Sequence, residues 1–208
     1  MKLYIIRHGE TTWNVEKRLQ GRSDTDLNEY GIELAQITSE ALKNVNFDLI
    51  YSSPLKRAYV TADIIKRERP LTIHTDERLM EMCFGDWEGV PSSSLPREFE
   101  LFFDAPDKYV PLGTGESFES LIKRAGEFIE DVVVPASSKY NCMLVVAHGA
   151  LNNALAANLL HREVKDFWEG IFPKNCSASI YEINGHDYKL LEYGKIYYEV
   201  KDESNSWK

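Results

Sequence analysis

The chain predicts an α/β fold: a three-layer α/β/α sandwich around a mostly parallel sheet with an antiparallel edge. Three observations carry this expectation. Apolar runs of strand length at 3–6, 47–51, 71–74 and 142–147 alternate with segments of helical period, the pattern of strand and crossover helix. Two of those strands deliver the same pair of residues at their ends, His8-Gly9 and His148-Gly149. Toward the C-terminus, 178–184 and 189–193 flank Asn184-Gly185, a hairpin signal that adds antiparallel strands at one edge.

After the first strand comes a polar loop over about 9–27, rich in charge and glycine, a place for chemistry rather than packing. Asn28 is a helix cap, with Ile32, Ala35, Ile37, Ala41, Leu42 and Val45 following at roughly helical spacing. Ser53-Pro54 reads as a cap with proline at the first helical position and opens a helix to about Lys66. The stretch 84–116 is interrupted by Pro91, Pro96, Pro106 and Pro111 around a short amphipathic piece at 99–103, and reads as a small insertion over the sheet edge. Ser117 begins a long helix to about Val134, and the strand at 142–147 leads into a helix near 151–160. The polar residues 201–208 are expected to fray.

At 208 residues and 43% hydrophobic content the chain can build one sizeable core, so a single domain over 1–208 is expected. With 24 basic against 33 acidic residues the net charge is −9, which disfavours nucleic acid and anionic membrane as partners. A phosphate site must then be a local positive pocket. Cys83, Cys142 and Cys176 form no CxxC and have no histidine at ligand spacing, so neither a metal site nor a disulfide framework is expected. Reduced cysteines, no apolar run of 18 residues and too short an apolar start for a signal peptide suggest a cytoplasmic protein, monomer or homodimer.

Four places in the chain converge on one sheet edge. Arg7 and His8 end the first strand, Arg57 lies one turn into the helix after the second, His148 ends a later strand, and Glu81 precedes the insertion. In a parallel sheet the carboxyl ends of strands and the amino ends of the following helices share an edge, so these residues can meet. Two guanidiniums, two imidazoles and a carboxylate suit a phosphoryl group, whose oxygens need charge-assisted donors. Flanking arginines disfavour the imidazolium form, which keeps a histidine neutral and nucleophilic. A carboxylate beside a phosphate dianion is pushed the other way, toward the raised pKa of a general acid.

The motifs resemble those of the histidine phosphatase superfamily, in its phosphoglycerate mutase-like branch. Arg7-His8-Gly9-Glu10-Thr11-Thr12-Trp13-Asn14 is similar to the nucleophile motif, and Gly21 to Leu27 with Gly31 to the next loop. Ser53-Pro54-Leu55-Lys56-Arg57-Ala58 with Thr61-Ala62 resembles the second arginine motif. Leu79-Met80-Glu81, Gly85 and Trp87-Glu88-Gly89 resemble the acid motif, and Ala147-His148-Gly149 the second histidine. The resemblance runs end to end, in the family's order. It implies phosphorylation of His8, with Arg7, Arg57 and His148 holding the transferring phosphoryl and Asn14 adding a hydrogen bond. Glu81 would protonate the leaving oxygen and then activate water, Gln20 and Gly21 would border the substrate, and Gly149 would lie at the phosphate. No metal or cofactor is implied, since guanidiniums supply the positive charge.

A mutase must also hold a second anionic group, with bisphosphoglycerate as its cofactor, whereas a phosphatase need only admit water. From Pro91 to Glu116 two basic residues, Arg97 and Lys108, face five acidic ones, Glu98, Glu100, Asp104, Asp107 and Glu116. That balance disfavours a polyanionic substrate. Mutases of the family also carry an adjacent arginine pair in a longer insertion, absent here, while Gly115-Glu116-Ser117 resembles the sequence that phosphatase members carry before their long helix. A phosphatase acting on a small phosphorylated metabolite is therefore expected, with mutase and non-catalytic phospho-ligand binding as alternatives. Phe99, Phe102, Phe103 and Tyr109 could wall a leaving group of little charge or simply anchor the insertion to the core. Many relatives place an arginine a few residues after the second His-Gly, where this chain has Asn152 and Asn153.

Overall fold

The first strand, β1 (Lys2–Arg7), is apolar on both sides, and its alternation sets the layers: Leu3 and Ile5 enter one apolar cluster, Tyr4 and Ile6 the other. This computed structural model describes residues 1–170 and 172–200. The other strands are β2 (Leu49–Ser52), β3 (Ile73–Thr75), β4 (Cys142–Ala147), β5 (Ala178–Asn184) and β6 (Asp187–Lys195). They form one six-stranded sheet in the order β3-β2-β4-β1-β5-β6. The first four strands are mutually parallel, and β5 and β6 close one edge antiparallel, as expected.

Helices α2 (Glu29–Ala41) and α3 (Lys56–Lys66) cover one face, and α5 (Phe118–Phe128) and α7 (Gly149–Leu160) the other. Ala58, Ala62 and Ile65 of α3 meet Ile6, Leu144 and Val146, while Leu121, Ala125 and Phe128 of α5 meet Leu151, Ala154 and Leu155 of α7 over Met143 and Val145. The cap expected at Asn28 holds, its Oδ1 accepting from Gly31 N at 2.7 Å, and the helix expected to begin at Ser117 is capped by that residue, whose Oγ accepts from Ser120 N at 3.2 Å. The long helix continues from α5 through a π turn (Ile129–Val133) into α6 (Val134–Ser137).

Some boundaries differ from expectation for identifiable reasons. The loop over 9–27 contains a short helix, α1 (Thr12–Val15), closed by a reciprocal capping box between Thr11 and Asn14. Ser53 does not cap α3, which begins at Lys56 with Leu55 at the cap position; Ser53 Oγ lies ahead of the helix, accepting from Leu55 N at 3.3 Å and bonding His148 Nε2. Residues 47 and 48 precede β2, whose neighbour Phe47 instead packs edge-on against Tyr4. The expected insertion is a chain of short turns and a four-residue helix, α4 (Leu101–Asp104), anchored by Phe99, Phe102 and Tyr109 on Phe118. Residues 201–208 lie outside the described residues. No helix among the described residues is long and apolar enough to cross a membrane.

Candidate active site

Register brings the two histidines together. β1 and β4 pair so that Arg7 lies beside Ala147, and His8 N donates to Ala147 O at 2.9 Å. The His8 and His148 rings stand 5.1 Å apart between centroids, tilted by 59°. β2 flanks β4 on its other side, and the turn after it delivers Ser53 and, at the start of α3, Arg57. Gly9 and Gly31 touch through their backbones: a Cβ on Gly31 would stand 2.1 Å from Glu10 O, and one on Gly9 would stand 2.5 Å from Gly31 O. The turn carrying His8 therefore rests directly on the first turn of α2.

The protonation of His8 follows from its bonds. Nδ1 lies 2.7 Å from the Gly9 carbonyl, which can only accept, so Nδ1 carries the proton. Nε2 is left with a lone pair, toward which Arg57 Nε donates at 3.3 Å. Burial, then the Arg57 and Arg7 charges, hold the imidazole well below its ordinary pKa, against the weaker opposing pull of the Gly9 bond. Neutral and aimed, His8 has the properties of a nucleophile.

Arg57 is fully buried, its fork fixed by Nη1 to Ser23 O and Nη2 to Gly21 O, both at 2.7 Å. Burial pushes its guanidinium down to about 10, with the Glu81 carboxylate acting to raise it. Arg7 donates through Nη1 to Pro173 O at 2.7 Å and lies against the Phe172 ring. Its Nε is buried with no partner among the described residues, and the same holds for His148 Nδ1. Buried polar atoms left in this way are suited to an incoming ligand. The His148 Nε2 is bonded to Ser53 Oγ at 2.8 Å, and burial followed by the Arg57 charge keeps this imidazole neutral as well.

Glu81 sits at the amino end of α7. Its Oε1 accepts from Met82 N and Leu151 N, and its Oε2 from Ala150 N, at 2.9 to 3.2 Å. Gly149 precedes these donors; a Cβ there would crowd toward Phe172, Arg7 Nε and Glu81 Oε2 at 3.4 to 3.7 Å.

An open cavity lies on this floor, lined by Arg7, His8, Asn14, Gln20, Gly21, Arg57, Glu81 and Gly149 among others. Every residue expected at the site therefore lines it except His148, whose buried ring lies beside that of His8 with Nδ1 unpartnered among the described residues. Thr11 N donates to Asn14 Oδ1 at 3.1 Å, so the amide end left over is the NH2 donor. Gln20 Oε1 accepts from Thr11 and Thr25 hydroxyls, which likewise leaves its NH2.

Sequence reasoning missed several lining residues. Arg18, Phe84, Trp168 and Phe172 line the cavity, as do Phe102 and Phe103 from the insertion, whereas Phe99 and Tyr109 are buried behind them as anchors. Trp168 Nε1 donates to Phe102 O at 2.6 Å, locking one part of this wall to another. No acidic residue of the insertion lines the cavity; Glu116 turns inward to Arg124, and Arg97 pairs with Glu100 in solvent. The insertion thus contributes aromatic rather than acidic side chains to the cavity wall. Asn152 and Asn153 are buried away from the cavity, Asn153 accepting from Tyr193 OH at 3.0 Å. Glu88, within the acid motif but without an assigned role, ties two loops by accepting from Arg22 N, Ser23 Oγ and Phe84 N.

Residues 3–196 match the model of the histidine phosphatase superfamily, branch 1. Phosphoserine phosphatase 1 of Hydrogenobacter thermophilus is 34% identical over 173 residues, 81% of this chain and 80% of that one. A Yersinia pestis protein named "Probable phosphoglycerate mutase GpmB" is 36% identical over 191 residues, covering 86% and 83% respectively. Among solved structures, the alpha-ribazole phosphatase from Shigella flexneri superposes with a TM-score of 0.84 at 30% identity, covering 97% of this chain and 100% of that one. The motifs, the fold and these likenesses agree: the chain belongs to branch 1 of the histidine phosphatase superfamily.

Proposed function

We propose that this protein is a phosphatase that hydrolyses small phosphomonoesters through a phosphohistidine on His8. The observation that carries the reading is the unprotonated Nε2 of a buried, neutral His8 on a cavity floor between two guanidiniums. Relatives named as phosphatases of small phosphorylated molecules support the reaction class.

In the first step His8 Nε2 attacks phosphorus and the bond to the leaving oxygen breaks, while Glu81 gives that oxygen its proton. Arg7, Arg57, the Asn14 amide and His148 hold the three phosphoryl oxygens. Ser53 Oγ already accepts from Leu55 N at 3.3 Å, and its remaining proton can go to His148 Nε2, which leaves Nδ1–H as the donor to phosphoryl oxygen. In the second step water attacks phosphorus, Glu81 takes the water's proton, the N–P bond breaks and inorganic phosphate leaves. The guanidiniums balance the charge throughout, so a chelator such as EDTA is expected to leave turnover unchanged.

Hydrolysis is favoured over mutase chemistry by the walls. Beyond the phosphoryl clamp, the lining offers one further cation, Arg18, against Phe84, Phe102, Phe103, Trp168 and Phe172. A second phosphate would find little to hold it, whereas an apolar or aromatic leaving group would be desolvated favourably. The test is turnover across aromatic, sugar, phosphoserine and α-ribazole phosphates, beside conversion of 3-phosphoglycerate to 2-phosphoglycerate with bisphosphoglycerate present. Release of phosphate with no isomerisation is expected. Isomerisation faster than phosphate release would replace this reading with the mutase.

A further inference from the structure

We propose that Arg124, on α5, is a positioning residue for Glu81, acting through the main chain that carries it and oriented by Glu116. The proposal rests on the reading of Glu81 as the proton donor to the leaving oxygen.

Glu81 lies in a segment with little regular structure, following a single 3-10 turn at Glu77–Leu79. Its backbone is held by side chains. The N–H groups of Met82, Cys83 and Phe84 donate to carboxylates, those of Glu81, Glu116 and Glu88 respectively. The carbonyls upstream converge on one guanidinium: Arg124 Nη1 donates to Arg78 O and Met80 O, both at 2.6 Å, and Nη2 to Glu81 O at 3.0 Å. Its remaining two N–H groups bind Glu116 as a fork, Nε to Oε1 at 2.7 Å and Nη2 to Oε2 at 2.9 Å. All five donors of Arg124 are thereby used, three of them on the Arg78-to-Glu81 backbone.

Glu116 closes the frame from the other side. Its N–H donates to Cys83 O at 2.8 Å, and its Oε2 accepts from Cys83 N at 3.2 Å. Burial acts to raise its carboxyl, and the bonds and charge of Arg124 overcome that, leaving it below the ordinary range. Arg22, at 3.6 Å from Glu116, joins the frame to the loop whose Gly21 and Ser23 carbonyls hold Arg57. Both sides of Glu81 are thus fixed by one nearly buried ion pair that neither lines the cavity nor touches the phosphoryl clamp. The carboxylate accepts from Met82 N of its own segment and from Ala150 N and Leu151 N of α7, so it meets α7 correctly only when its own main chain is held in place. A misplacement of about 1 Å at such a group can lower rates about 10²-fold. Lysine cannot replace this arrangement, having three donors and no planar fork.

The experiment compares kcat/KM for p-nitrophenyl phosphate and for a primary alkyl phosphate in Arg124→Lys, Glu116→Gln and Glu81→Gln. Nitrophenolate leaves as a stable anion, whereas an alkoxide needs the proton. Arg124→Lys is expected to lose about 10²-fold on the alkyl ester and less than about threefold on the nitrophenyl ester, with inhibition by inorganic phosphate unchanged. Glu116→Gln, which keeps its shape, is expected to lose about tenfold on the alkyl ester alone, and carries the test if Arg124→Lys does not fold. Equal losses on both esters, or none, overturn the proposal while Glu81→Gln still separates them. If Glu81→Gln itself fails to separate the two esters, the acid assignment falls and the proposal falls with it.

Discussion

Arg57 Nε lies 3.3 Å from His8 Nε2 and points its N–H at the one ring nitrogen that the Gly9 bond leaves unprotonated. A cation placed there cannot coexist easily with an imidazolium. The same arginine therefore adds to burial in keeping His8 neutral, and in the proposed reaction it would supply charge for the phosphoryl group that replaces its contact with Nε2.

The neutrality of both histidines predicts how stability varies with acid. His8 and His148 are held below their ordinary pKa in the folded protein, first by burial and then by Arg57. Below about pH 6.5 the unfolded chain takes up two protons that the native state refuses. Stability is thus complete above that pH and is lost as pH falls toward the folded-state values, by up to about 2.8 kcal/mol per unit for the pair. Denaturant unfolding between pH 7 and 5 should show this slope, and His148→Asn should remove about half of it. An unchanged slope in the variant would contradict a neutral buried His148.

A second prediction concerns Gly21. It adopts φ of +52°, and a Cβ there would stand 2.1 Å from Glu88 Oε1, while its carbonyl holds Arg57 Nη2. Gly21→Ala should destabilise the fold by about 1–3 kcal/mol and lower kcat/KM by about tenfold through a loosened Arg57. Thermal unfolding and steady-state kinetics check the two effects separately. Wild-type values for both would show that the loop tolerates a side chain at this position.

How much of this site was legible in the sequence depended on the kind of element carrying each residue. Arg7, His8 and His148 end strands whose apolar runs are unmistakable, and a parallel sheet places strand ends together whatever the loops do. Arg57 follows from the same geometry. Glu81 lies on irregular chain, and only the motif pointed to it; periodicity has nothing to say about a segment held by side-chain carboxylates. Trp168 and Phe172 escaped notice because they lie in aperiodic chain after α7 and reach the cavity through tertiary packing, Trp168 on Phe102 and Phe103 and Phe172 on Phe103 and Arg7. Ser53 read as a cap because local sequence cannot reveal a partner 95 residues away.

The aromatic wall gives a third prediction. Phe103 lines the cavity and packs against Trp168 and Phe172, with ring centroids 5.3 and 6.3 Å away. Phe103→Ala should raise KM for an aryl phosphate about fivefold, the effect of losing about 1 kcal/mol of apolar burial. Inhibition by inorganic phosphate should not change, because the phosphoryl clamp lies elsewhere. A parallel loss of phosphate affinity would mean that the ring supports Arg7 through Phe172 and does not contact the leaving group.

Covalent trapping tests the central claim most directly. The enzyme is mixed rapidly with excess phosphomonoester and quenched in alkali, where phosphohistidine survives, and its peptides are then sequenced by mass spectrometry. The account predicts one phosphoryl group, carried on His8, together with no labelling and no turnover in His8→Ala. A label on another residue, or wild-type turnover in His8→Ala, would contradict it.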